Sequence, residues 1–215
     1  MLLLDTSSSM GGIPITELNA GFEVFCREIK DDPLARKRTE VSVITFGGVA
    51  RVEIPFTEGR DLQPREFSAS GGTPLGAALN LALEELQARK DAYKSSGLEY
   101  FRPWLFVITD GAPTDSDKFV LAAARVREVE AANGVAVFGV AVGSGVDMAQ
   151  LATISDLRQP LSLSGYSFAE MFSWLSASMG VVSSSGNFGS SDTGISQAES
   201  TEQTPLPTPT GWATW

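Results

Sequence analysis

The segment Leu2-Leu3-Leu4-Asp5-Thr6-Ser7-Ser8-Ser9-Met10 decides how the rest of the chain is read. Three apolar residues stop abruptly at a carboxylate and a run of hydroxyls. From Pro14 onward Ile15, Leu18, Phe22, Phe25, Cys26 and Ile29 recur at three- and four-residue steps. A buried strand, a polar turn and an amphipathic helix follow one another, which is the opening unit of an α/β sheet.

The unit repeats along the chain. Val41 to Phe46 (VSVITF), Trp104 to Thr109 (WLFVIT) and Val135 to Val142 (VAVFGVAV) are rich in β-branched and aromatic residues without strict alternation, as expected of strands covered on both faces. Arg51 to Phe56 does alternate, and Pro55 within it predicts a sheet edge. The short Gly47-Gly48 link joins it to the preceding strand as a hairpin. Helical stripes occur at Leu75, Leu79, Ala82 and Leu86, at Phe119, Ala123 and Val126, and at Phe168, Met171, Phe172, Leu175 and Met179. The expected fold is α/β: a doubly wound, mostly parallel open sheet with one antiparallel edge strand and helices on both faces. Ligands of such sheets sit beyond the carboxyl ends of the strands.

Composition narrows the chemistry. The chain has 215 residues, no histidine and one cysteine. A Ser-His-Asp triad, an imidazole proton shuttle, a His-ligated metal and an internal disulfide are therefore all excluded. Cys26 lies on the first helical stripe and reads as a core residue. The formal charge of −10 opposes nucleic acid and anionic membranes as partners. Neither a signal peptide nor an apolar run of membrane-spanning length appears, and the expectation is a cytoplasmic protein.

Three polar segments fall at predicted strand ends or before a helix. Asp5 to Ser9 ends the first strand, Gly71-Gly72-Thr73-Pro74 precedes the second helix, and Thr109-Asp110-Gly111 ends WLFVIT. They offer two carboxylates and three hydroxyls: Asp5, Asp110, Ser7, Ser9 and Thr73. Oxygen donors of this kind suit Mg²⁺ or Mn²⁺. So few carboxylates would leave the ion under-neutralised and open to an acidic group from outside. Asp5, Ser7 and Ser9 taken singly also fit capping of the first helix, and Asp110 taken singly fits a turn. Thr114 and Asp117 have the spacing of a capping box opening the third helix, and Asp115, close in sequence to Asp110, is the residue there expected to extend the acidic site.

LLLDTSSSM, SASGGTPLGAAL and FVITDGAPTD resemble, in order and spacing, the metal-ion-dependent adhesion site of von Willebrand factor type A domains. Thr73 lies 64 residues after Ser9, and Asp110 lies 37 after Thr73. The resemblance covers residues 1–182. SVITFGGVA and FSWLSASM further resemble the bacterial TerY-like branch, linked to tellurium resistance and stress response. The resemblance implies a Rossmann-like fold and a site in which Ser7 and Ser9 hold Mg²⁺ (or Mn²⁺) directly. Thr73 would bind directly or through water, and Asp5 and Asp110 mainly through water. It implies a non-catalytic module that captures an Asp, Glu or carboxyl-terminal carboxylate of a partner protein. Relatives usually carry several residues before LLLD, which implies a first strand that starts upstream of Met1.

Two other functions fit parts of the pattern. A magnesium-dependent phosphotransferase of the haloacid-dehalogenase type begins with a strand and D-x-D, but the second position here is Ser7, which supplies no acid-base chemistry near neutral pH. A scaffold without bound metal is the third reading. Beyond residue 182 the chain is rich in Ser, Thr, Gly and Pro and has no Lys or Arg, so 183–215 is expected to be a disordered tail.

Overall fold

The computed structural model describes residues 1–184 and 211–214. Strands β1 (Leu2–Asp5), β2 (Glu40–Gly47), β3 (Val49–Glu58), β4 (Trp104–Thr109), β5 (Ala136–Val142), β6 (Leu161–Leu163) and β7 (Ala213–Thr214) form one sheet in the order β3-β2-β1-β4-β5-β6-β7. Strands β2, β1, β4, β5 and β6 run parallel, and β3 returns antiparallel to β2 along one edge. The mostly parallel sheet with an antiparallel edge hairpin is the architecture that the alternating patterns predict. A second antiparallel strand, β7, pairs with β6 at the other edge, where none was expected.

Helices α1 (Ile13–Asp31), α2 (Ala35–Arg38), α3 (Leu75–Ser95), α4 (Ser116–Ala131), α5 (Met148–Ala152) and α6 (Phe168–Ser184) cover the two faces. The first strand shows how the layers divide. Leu2 and Leu4 point into a cluster with Phe22, Phe25, Phe168 and Phe172 of α1 and α6. Leu3 points the other way, into a cluster with Leu75, Leu79, Phe119 and Val126 of α3 and α4. All three leucines are fully or almost fully buried. Each contributes about 1.5–3 kcal/mol by leaving water, which is why this strand can occupy the centre of the sheet. On the first face Phe172 meets Phe22 edge-on with ring centroids 6.1 Å apart, and Phe25 at 5.3 Å. Cys26 is buried in this layer as expected, and burial pushes its thiol up to about 12.

The start of β5 and the segment leading into the short β6 are tied down by a buried carboxylate on α4. Glu130 accepts from the Val137 backbone N–H at 2.9 Å, from Ser155 Oγ at 2.6 Å and from Arg158 Nη1 at 2.8 Å. The Glu130 side chain is 1% exposed and that of Arg158 is 27% exposed. Arg158 also lies over the Phe138 ring, 5.0 Å from its centroid.

Two parts of the expected tail, 183–184 and 211–214, are structured. Ser183 and Ser184 continue α6. Trp212 is 2% exposed, because its indole finds apolar partners that the composition of its neighbours does not reveal. Residues 185–210 and Trp215 lie outside the described residues. No helix among the described residues is long and apolar enough to cross a membrane.

Candidate metal-binding site at the carboxyl edge of the sheet

Strand β1 pairs with both β2 and β4, so the loops leaving its neighbours diverge and open a crevice at its carboxyl end. Asp5, the last residue of β1, sits at the base of that crevice and is fully buried. Its Oδ1 accepts from the Ser7 backbone N–H at 2.8 Å, and its Oδ2 from Thr109 Oγ1 at 2.6 Å. Desolvation raises the Asp5 pKa, hydrogen bonds from Thr109 and Ser7 oppose the rise, and the Asp110 charge adds to it.

The donor set steps outward from this base. Ser7 is buried, and its Oγ lies 3.0 Å from Ser9 Oγ. Ser9 is exposed, and its Oγ donates to Asp110 Oδ1 at 2.7 Å. A single-turn 3-10 helix over Ser8–Met10 turns the backbone so that these hydroxyls share one concavity, while Met10 drops into the core. Asp5, Ser7, Ser9 and Asp110 are thus brought together around one crevice. Thr109 belongs to it as well, as the residue that positions the Asp5 carboxylate.

Thr73 arrives by backbone stitching. Ser70 N–H donates to Thr6 O at 2.8 Å, Ser8 N–H to Gly71 O at 2.9 Å, and Gly48 N–H to Gly72 O at 2.8 Å. Glycine is required at the crossing: Gly71 has φ +72°, and a Cβ there would stand 2.5 Å from the Gly48 Cα. Thr73 is buried and its carbonyl accepts from Thr114 N–H at 2.9 Å. Among the described residues no hydrogen bond joins its hydroxyl to the other four.

Asp115 takes a different part from the one its spacing suggests. Its carboxylate oxygens accept from Gly76 N–H at 3.0 Å and Ala77 N–H at 2.8 Å, so it caps α3 from the neighbouring loop. Helix α4 begins at Ser116, and no side chain caps it at Asp115, so the expected Thr114–Asp117 capping box is not formed. The tie fixes the start of α3, two residues beyond Thr73, against the loop that follows Asp110.

The donors suit a small hard cation. Adjacent oxygens of an octahedral magnesium shell at about 2.1 Å stand about 3.0 Å apart. The Ser7 Oγ–Ser9 Oγ separation is 3.0 Å. No group of three or more His, Cys, Asp or Glu lies together among the described residues, so hydroxyls must supply much of any coordination. A cavity lined by Met1, Arg38, Glu40, Arg89, Tyr93 and Trp104 lies at the other end of the sheet. There Arg89 Nε pairs with Glu40 at 2.7 Å.

A family model for the von Willebrand factor type A domain matches residues 1–169. The chain belongs to that family. Solved structures agree on the fold. A von Willebrand factor type A protein from Catenulispora acidiphila is 17% identical with a TM-score of 0.63, the match covering 83% of this chain and 41% of that one. The von Willebrand factor domain of the type V pili tip protein Mfa5 from Porphyromonas gingivalis is 10% identical with a TM-score of 0.60, covering 86% and 96%. The manganese-loaded Plasmodium vivax TRAP protein is 18% identical with a TM-score of 0.57, covering 80% and 69%. No curated protein matches the chain. Von Willebrand factor type A domains commonly bind divalent metal ions and generally serve as protein-interaction modules.

Proposed function

We propose that this von Willebrand factor type A domain holds Mg²⁺ (or Mn²⁺) with Ser7, Ser9, Thr73, Asp5 and Asp110, and captures an acidic group of a partner protein there. The observation that carries the reading is the continuous Ser7–Ser9–Asp110 chain of oxygens, opening from a buried Asp5 to an exposed Ser9. With Asp5 and Asp110 reaching the ion mainly through water, its directly bonded protein oxygens would be neutral hydroxyls, leaving attraction for a third carboxylate. The chain's own residues do the rest. Asp5 and Thr109 anchor the base, Ser7 and Ser9 present hydroxyl oxygens, Asp110 accepts from Ser9 at the mouth, and the Gly71 crossing holds Thr73 against the Ser8 turn. The metal also reconciles an acidic domain with an acidic ligand, which would otherwise repel each other.

The likeness of SVITFGGVA and FSWLSASM to the TerY-like branch supports a place in a bacterial stress-response or tellurite-resistance assembly of the cytoplasm. The test is capture from a cell extract on the immobilised chain in millimolar magnesium and in chelator. Proteins retained with magnesium and released by chelator are expected, with retention lost when the partner's contacting Asp or Glu is changed to its amide. The same proteins retained under both conditions would contradict the reading.

A further inference from the structure

The chain returns to the domain at Gly211, and the way it is seated there is specific. Gly211 adopts φ +85°, a left-handed turn that sends Trp212 inward and aligns the next two residues with β6. The Trp212 ring stands 5.3 Å from that of Trp174 on α6, tilted by 51°. It joins the cluster that includes Leu161, Leu163 and Phe168. Its carbonyl accepts from Ser164 N–H at 2.8 Å, and the register continues as Leu163 with Ala213 and Ser162 with Thr214.

The hold on this segment is nevertheless slight. β7 is two residues long, and its anchorage in the core comes from the Trp212 indole that precedes it and the partly buried Ala213. The Trp212 Nε1 is buried without an acceptor among the described residues, which subtracts from what burial of the ring contributes. Residues 185–210, which connect Ser184 to Gly211, can span at most about 90 Å, so covalent connection does not dictate where Trp212 lands. What does dictate it is a slot bounded by β6 and α6, together with the otherwise unpaired edge of β6. An apolar slot beside a free strand edge is the arrangement by which sheets recognise extended peptides: backbone pairing gives affinity and one side-chain pocket gives selectivity.

We propose that the β6–α6 slot is a peptide-binding site for an extended segment carrying a tryptophan followed by a small residue. Residues 211–214 are its tethered ligand, exchangeable for the same segment supplied by a second copy of the chain. The tether gives this resident ligand an effective concentration in the millimolar range, so a free peptide at micromolar concentration competes poorly until the resident is weakened. The site is separate from the Asp5 crevice, and neither proposal depends on the other.

The test uses the full chain and a fluorescent peptide of residues 205–215. Trp212→Ala in the chain is expected to expose the slot, giving saturable binding at least tenfold tighter than to the unaltered chain. The same peptide with its tryptophan changed to alanine is expected not to bind. Absence of binding to the Trp212→Ala chain, or equal binding to both chains, would overturn the proposal. A second variant covers the case in which Trp212→Ala fails to fold. A protease recognition sequence is inserted between Ser196 and Gln197 and cut in the folded protein. The released carboxyl-terminal fragment is then expected to exchange with labelled peptide, as read by native mass spectrometry. A fragment that does not exchange over hours, or a cleaved chain that unfolds, would show β7 to be an integral strand.

Discussion

Ser7→Ala combined with Ser9→Ala is expected to abolish magnesium-dependent capture of an acidic partner, with affinity falling by at least about 100-fold. The two hydroxyls stand 3.0 Å apart and carry the link from the buried base to Asp110. Removing them leaves only Thr73 and the two carboxylates. The fold should survive, because what Asp5 accepts in this turn is the Ser7 backbone N–H, which alanine retains, and Ser9 is exposed. The comparison is therefore between capture, measured by titrating the retained partner, and the unfolding midpoint in chelator. Capture should vanish while the chelator midpoint moves little. Capture retained at full strength would remove the two serines from the metal-binding reading.

Glu130→Ala is expected to cost about 3 kcal/mol of stability in urea unfolding, without touching the metal crevice directly. The substitution strips three partners at once. The Val137 N–H and the Ser155 hydroxyl lose a buried acceptor, and Arg158 loses its counter-charge. Arg158 is 27% exposed and can recover some hydration, which holds the loss to the lower end for a broken buried pair. Glu130→Gln should cost less, about 1–2 kcal/mol, because the amide keeps one carbonyl acceptor. Equal stability of the alanine variant and the parent would mean that the β5–β6 corner is held by apolar packing alone.

The sequence carries the fold most clearly where a residue's chemistry is local. Leu2, Leu3 and Leu4 announce a strand buried on both faces, and the structure divides them between two cores. The edge position of β3 follows from Pro55 and from alternation. Asp5, Ser7, Ser9 and Asp110 are legible because strand ends converge in a doubly wound sheet, so order and spacing alone place them together. The role of Thr109 is not legible in the sequence, because its bond to Asp5 joins neighbouring strands across 104 positions of chain. The Thr114–Asp117 pair shows the opposite case: a local capping pattern is easy to see, but α4 starts without it, and Asp115 between them satisfies another helix's free N–H groups. The three-residue β6 and the two-residue β7 are too short to show a period of two. Trp212 sits in a stretch whose average composition argues against order, and one buried ring outweighs that average.

The central claim is that the crevice around Asp5 is a divalent-cation site, and thermal unfolding of the full chain with and without magnesium tests it most directly. A ligand bound only by the folded state at a hundredfold excess over its Kd adds about 2.7 kcal/mol. In a domain of this size that raises the Tm by about 5–10 °C. The account predicts such a rise in millimolar magnesium or manganese, its reversal by chelator, and its absence in the Ser7→Ala, Ser9→Ala variant. An unchanged midpoint in the parent chain, or an equal rise in the variant, would contradict it.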